Sequence, residues 1–140
     1  MTLALAQSAE KVLRHEVSEG AAVDDVATAA VQAFDKLTHH FSRLVGASGM
    51  RMLLARAVAS VRPTYPWLPR ELTTPADAPW ADLRTALAEQ APEVAAQAFA
   101  ALWSDVVGLL GRFIGDRLVG RLLRELWPQI FPAGLMEEQR

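Results

Sequence analysis

Apolar residues recur at three- and four-residue steps along most of the chain, the spacing that lines one face of an α-helix. The strongest run, Val26, Ala30, Ala33, Phe34, Leu37, Phe41, Leu44 and Val45, predicts a helix opening at Asp24 or Asp25 and ending at Gly46. Ser48 is placed to cap the next helix, whose apolar positions Met52, Leu53, Ala57, Val58 and Val61 continue to Arg62, just before Pro63. Ahead of both, Thr2 to about Ser18 reads as a first helix. Leu3, Ala6, Ala9, Leu13 and Val17 lie near one of its faces, and Glu10, Lys11, Arg14 and His15 on the other.

Prolines 63, 66, 69, 75 and 79 lack the backbone donors that a helix or central strand needs, so residues 63–79 form an irregular connection. Its Tyr65, Trp67 and Leu68 are expected to lie against the core. A fourth helix is predicted from Pro79 to about Gln90, a fifth from Pro92 to Ile114, and a sixth from Asp116 to Trp127. No segment sustains the strict alternation of a half-buried strand, so no sheet is expected.

Displaced by 69 residues, the chain matches itself without a gap. Phe34 falls on Trp103, Leu37 on Val106, Phe41 on Leu110, Leu44 on Phe113, Val45 on Ile114 and Gly46 on Gly115. Past the glycine, Leu53 and Leu54 fall on Leu122 and Leu123, and Pro63 on Pro132. The expected fold is therefore all-α: a single domain, residues 1–140, of about six helices. A duplicated helical hairpin, residues 24–62 and 93–131, would form a core like a four-helix bundle, with the first and fourth helices flanking it. Lys36 falls on Asp105, so a twofold packing would bring the two together as an ion pair; the alternative is that Asp105 faces solvent beside Arg112.

With 51% apolar and 21% charged residues, the composition is that of a folded globular chain. A net charge of -2 supplies no chain-wide field, so nucleic acid is not the expected partner. Cysteine is absent, which removes disulfides, thiolate metal sites and thiol nucleophiles together. Lys11 and Lys36 are the only lysines among many arginines, and alanine abounds, as in proteins of GC-rich bacteria. Met1–Leu13 lacks the pattern of a signal peptide, and Asp105 and Arg112 interrupt the apolar stretch from Val94 to Gly115. Buried helix, no transmembrane span and a cytoplasmic location are the resulting expectations.

Candidate chemistry is sparse. The histidines are His15, His39 and His40, and no Glu-x-x-His pair is present to build a metal site in a bundle. Asp35 and His39 share a helix face, but Phe34, Leu37 and Phe41 claim the inward side. No nucleophile elbow, Ser-x-x-Lys, His-Glu-x-x-His or phosphate loop occurs, and Gly46-Ala47-Ser48-Gly49 reads as a tight turn. No catalytic residue, cofactor or metal is therefore assigned. Gly108, Gly111 and Gly115 are expected to mark close helix approach, the alternative being a pocket for a flat ligand beside Trp103 and Phe99.

Arg117, Arg121 and Arg124 share one face of the sixth helix and, with Trp127, Ile130 and Phe131 after it, form the expected interaction surface. The leading expectation is a non-enzymatic bacterial interaction or adaptor module that binds a protein partner and self-associates as a homodimer through this apolar patch. The alternative is a small-molecule sensor with a cavity lined by Phe34, Phe41, Phe99, Trp103 and Phe113 between the hairpins.

Overall fold

The computed structural model describes residues 9–16, 26–69, 80–128 and 130, and these contain helices and turns but no strand. In chain order the helices are α1 (9–16), α2 (Val26–Val61), α3 (Ala81–Ala88), α4 (Pro92–Ile114) and α5 (Asp116–Leu126). The all-α expectation stands. The number differs: α2 contains both the second and third expected helices, so five helices lie among the described residues.

The division inside α2 is made by the backbone of Gly46, at φ 82° and ψ 159°, not by a cap at Ser48. Gly115 separates α4 from α5 with nearly the same conformation, φ 95° and ψ 144°. These are the positive-φ positions among the described residues, and both are glycine because a Cβ is strongly disfavoured there. They are also the two positions that the 69-residue displacement superimposes. Each helix pair thus has a first arm before the glycine and a second arm after it.

Local signals agree with the helix ends. Pro92 starts α4 with its missing N–H at a position that needs no intrahelical partner, Glu93 lies in the first turn, and Arg112 lies in the last. α5 has the same polarity, with Asp116 in its first turn and Arg124 in its last.

Ala30, Phe34, Leu37 and Phe41 of the first arm of α2 are fully buried, as are Trp103, Val106 and Leu110 of α4. A row of rings crosses the core. Trp80 stacks on Phe34 at 6.1 Å, Phe34 meets Phe99 at 5.2 Å and Trp103 at 6.0 Å, and Trp103 meets Trp127 at 5.5 Å. Burying each such side chain stabilises by about 1.5–3 kcal/mol, and an edge-on ring pair adds about 0.5–1.5 kcal/mol. α2 and α4 each have the length and hydropathy of a membrane span, and in this fold their apolar faces pack on one another through these rings.

The start of the proline-rich connection folds back on α2. Arg62 Nε donates to the Leu68 carbonyl at 3.0 Å and the Leu68 N–H to the Tyr65 carbonyl at 3.1 Å, which leaves Leu68 buried and Tyr65 and Trp67 half-buried. α3 then begins after the buried Trp80 and ends at Ala88, inside the expected span of Pro79 to Gln90.

Close helix approach does not account for Gly108, because a Cβ built there meets nothing within 4 Å. At Gly111 the obstruction is the carboxylate of Asp116 in the first turn of α5. Gly108→Ala is accordingly expected to raise the unfolding free energy by about 0.5–1 kcal/mol, since alanine restricts the unfolded chain at no steric cost. Gly111→Ala should show no such gain, having to displace Asp116. Urea unfolding of both variants checks the pair.

Candidate functional site

The fully buried charge among the described residues is Glu16, on α1. Its Oε2 accepts from Lys36 Nζ at 2.8 Å and from Trp127 Nε1 at 3.0 Å, while Oε1 has no partner. A carboxylate out of water needs a counter-charge and donors, and Lys36 supplies the charge. The expected Lys36–Asp105 pair is therefore not formed. Asp105 instead accepts from Ser60 Oγ at 3.5 Å. Asp35, next to Lys36, accepts from Trp80 Nε1 at 2.9 Å. These contacts hold α1, α3 and the turn after α5 onto α2.

Residues that the sequence assigned to the surface are divided by the fold. Arg117 and Arg121 are exposed and Arg124 is half-buried. Trp127 is fully buried against Trp103, and Ile130 is half-buried against the same core, so neither belongs to an exposed patch. Phe131 lies outside the described residues. The physical reason is the short α5: its last turn brings the chain back over the core, where the indole both buries its rings and reaches Glu16.

The proposed aromatic cavity is divided in the same way. Phe34, Phe41, Phe99 and Trp103 are buried, and the rings of Phe34, Phe99 and Trp103 touch one another and occupy the space between α2 and α4. Phe113 is 64% exposed, on the last turn of α4. The other large apolar residues left in water among the described residues are Leu44, at 52%, and Met52, at 68%. All three lie within six positions of Gly46 or Gly115.

Beside Leu44 a cleft of about 380 Å³ opens between α2 and α5. His40, Arg43 and Leu44 line it from the first arm of α2, and Leu118, Arg121, Leu122 and Glu125 from α5. The two helices run antiparallel here, since His40 pairs with Glu125 while Lys36, one turn earlier, reaches the level of Trp127 through Glu16. His40 Nε2 lies 2.8 Å from Glu125 Oε1, and Arg121 Nε lies 4.0 Å from Glu125 Oε2. His39, the neighbouring histidine, is exposed.

One signal was present in the sequence and obscured by the chain-wide balance. From Lys36 to Pro69 the chain carries Lys36, Arg43, Arg51, Arg56 and Arg62 and no acidic residue. Arg43, Arg51 and Arg56 are exposed, as are Arg112, Arg117 and Arg121 around the second glycine break. Among the described residues, each of the three exposed apolar side chains has an exposed arginine next to it in the chain, and Phe113 also has the exposed Asp116 three positions on. No group of three or more histidine and carboxylate side chains is arranged to hold a metal among the described residues. Compared with family models, with curated proteins and with solved structures, the chain matches none.

Proposed function

We propose that the chain is a non-enzymatic helical interaction module that docks an acidic, apolar-faced segment of another protein. The docking face is formed by the end of α4 and the second arm of α2. The observation that carries this reading is Met52 and Phe113, 68% and 64% exposed, with the exposed Arg51, Arg56 and Arg112 on the same two helices. Large apolar side chains left in water on two packed helices offer a binding surface, and arginines on the same helices favour a partner of opposite charge.

Duplication of a helix–glycine–helix unit places the two helices side by side. Under the 69-residue displacement, buried residues fall on buried ones: Phe34 on Trp103, Leu37 on Val106, Phe41 on Leu110 and Leu54 on Leu123. The exposed Leu44 falls on the exposed Phe113. His40–Glu125 links the first arm of α2 to α5, and Ser60–Asp105 links the second arm of α2 to α4, as exchange of arms between two copies requires.

In that register the cleft has a counterpart. His40, Arg43 and Leu44 become Leu109, Arg112 and Phe113, while Arg121, Leu122 and Glu125 become Met52, Leu53 and Arg56. The arginine is kept and the leucine enlarged, but the His–Glu pair is replaced by a leucine and a second arginine. Leu118 falls on Gly49, so this second face loses one leucine while it gains Leu109 and Met52, and none of the seven counterpart residues is a carboxylate. A second copy docked on it by twofold symmetry would set arginine against arginine, which favours an acidic partner over a homodimer.

Photo-crosslinking tests the reading. A crosslinker at position 113, compared with one at the exposed Ala81, is expected to trap a polypeptide in cells. With that partner purified, Met52→Glu and Phe113→Glu together should abolish binding without moving the unfolding midpoint, and added salt should weaken wild-type binding. Equal trapping at both positions, trapping of a second copy alone, or binding that survives both substitutions would overturn the proposal.

A further inference from the structure

We infer that the cleft between the first arm of α2 and α5 binds a small amphipathic anion, a carboxylate carrying an unbranched apolar chain. At about 380 Å³ the cleft lies within the range of small-molecule sites and has room for about a dozen waters at roughly 30 Å³ each. Three of its seven lining residues, Leu44, Leu118 and Leu122, are aliphatic, and the other four are polar or charged. Leu118 and Leu122 are one helical turn apart, about 6 Å, and Leu44 faces the same space, so the apolar surface is a strip suited to a chain. The one ring in the lining is the His40 imidazole, which is held by Glu125 at 2.8 Å.

The charges select the head group. Arg43 has no ion pair or hydrogen bond among the described residues, and Arg121 approaches Glu125 only through Nε at 4.0 Å, with its side chain 69% exposed. Glu125 is the single carboxylate in the lining and is already engaged by His40 at 2.8 Å. Two guanidinium groups thus line the cleft with the leucines, and its single carboxylate approaches only one of them. Planar guanidinium forks bind carboxylates in paired hydrogen bonds, which a lone ammonium would not do. Both guanidinium groups are exposed and hydrated, so an anionic head group gains their charge while a neutral one gains only the leucine contact.

Isothermal titration of the full chain with octanoate below its micelle concentration tests the site, with acetate and octanamide as comparators lacking the chain or the charge. One octanoate should bind per chain, and each comparator about tenfold more weakly or worse. Arg43→Gln with Arg121→Gln should cost about tenfold or more in octanoate affinity without moving the unfolding midpoint. Glu125→Gln, which removes the competing carboxylate, should tighten binding by up to about fivefold. Octanoate binding no better than acetate or octanamide, unchanged affinity in the double arginine variant, or weaker binding in Glu125→Gln would each overturn the inference. The inference does not rest on the docking face: Met52→Glu with Phe113→Glu should leave octanoate affinity unchanged, and its loss there would place the ligand on the other face.

Discussion

Replacing Trp103 by alanine is expected to lower the unfolding free energy by about 3–5 kcal/mol, as for large aromatic residues removed from packed cores. Trp103 is fully buried, with ring centroids 6.0 Å from Phe34, 5.7 Å from Phe99 and 5.5 Å from Trp127. It stands where α2, α4 and the turn after α5 meet, so the lost volume cannot be refilled by one neighbour. Urea unfolding followed by far-ultraviolet circular dichroism measures the effect without depending on indole fluorescence. Phe113→Ala is the comparison on the same helix. With its side chain mostly in water, it should change stability by about 0.5 kcal/mol or less. A loss below about 1 kcal/mol at Trp103 would mean that the rings do not pack in this way.

Gly46→Ala and Gly115→Ala are each expected to destabilise by about 1–3 kcal/mol, and by similar amounts. A Cβ at either position meets nothing within 4 Å, so the cost is backbone strain at φ 82° and φ 95°, not collision. D-Alanine, introduced at the same position by chemical ligation, should restore most of the lost stability because its mirror-image preference suits positive φ. If L- and D-alanine cost the same, the breaks do not have this conformation. The contrast with Gly108→Ala, expected to stabilise, separates glycine required by the backbone from glycine that is merely tolerated. The breaks also matter to recognition, since Gly46 sets the course of the second arm carrying Met52, and Gly115 that of α5 carrying Leu118 and Arg121.

The helices, their inward faces and their breaks were legible in the sequence because each is a local property. Phe34, Leu37 and Phe41 repeat at the helical period, Pro92 suits a first turn, and Gly46 and Gly115 answer a demand on a single residue's φ. The basic run from Lys36 to Pro69 was equally legible, but a net charge taken over the whole chain averaged it away. Tertiary structure alone decided which neighbour each face would meet. The helical period marks Trp127 as apolar without saying whether the chain past α5 turns into water or back over Trp103, and it turned back. It marks Phe113 as inward-facing, yet in the last turn of α4 the neighbouring Ile114 packs on the core and the Phe113 ring is left in solvent. Glu16 offered no local sign of burial, because its reason for being buried is a lysine on α2 and an indole after α5. The cleft has the same origin: residues 40–44 and 118–125 become neighbours only when two antiparallel helices pack, and no spacing along one chain segment records that meeting.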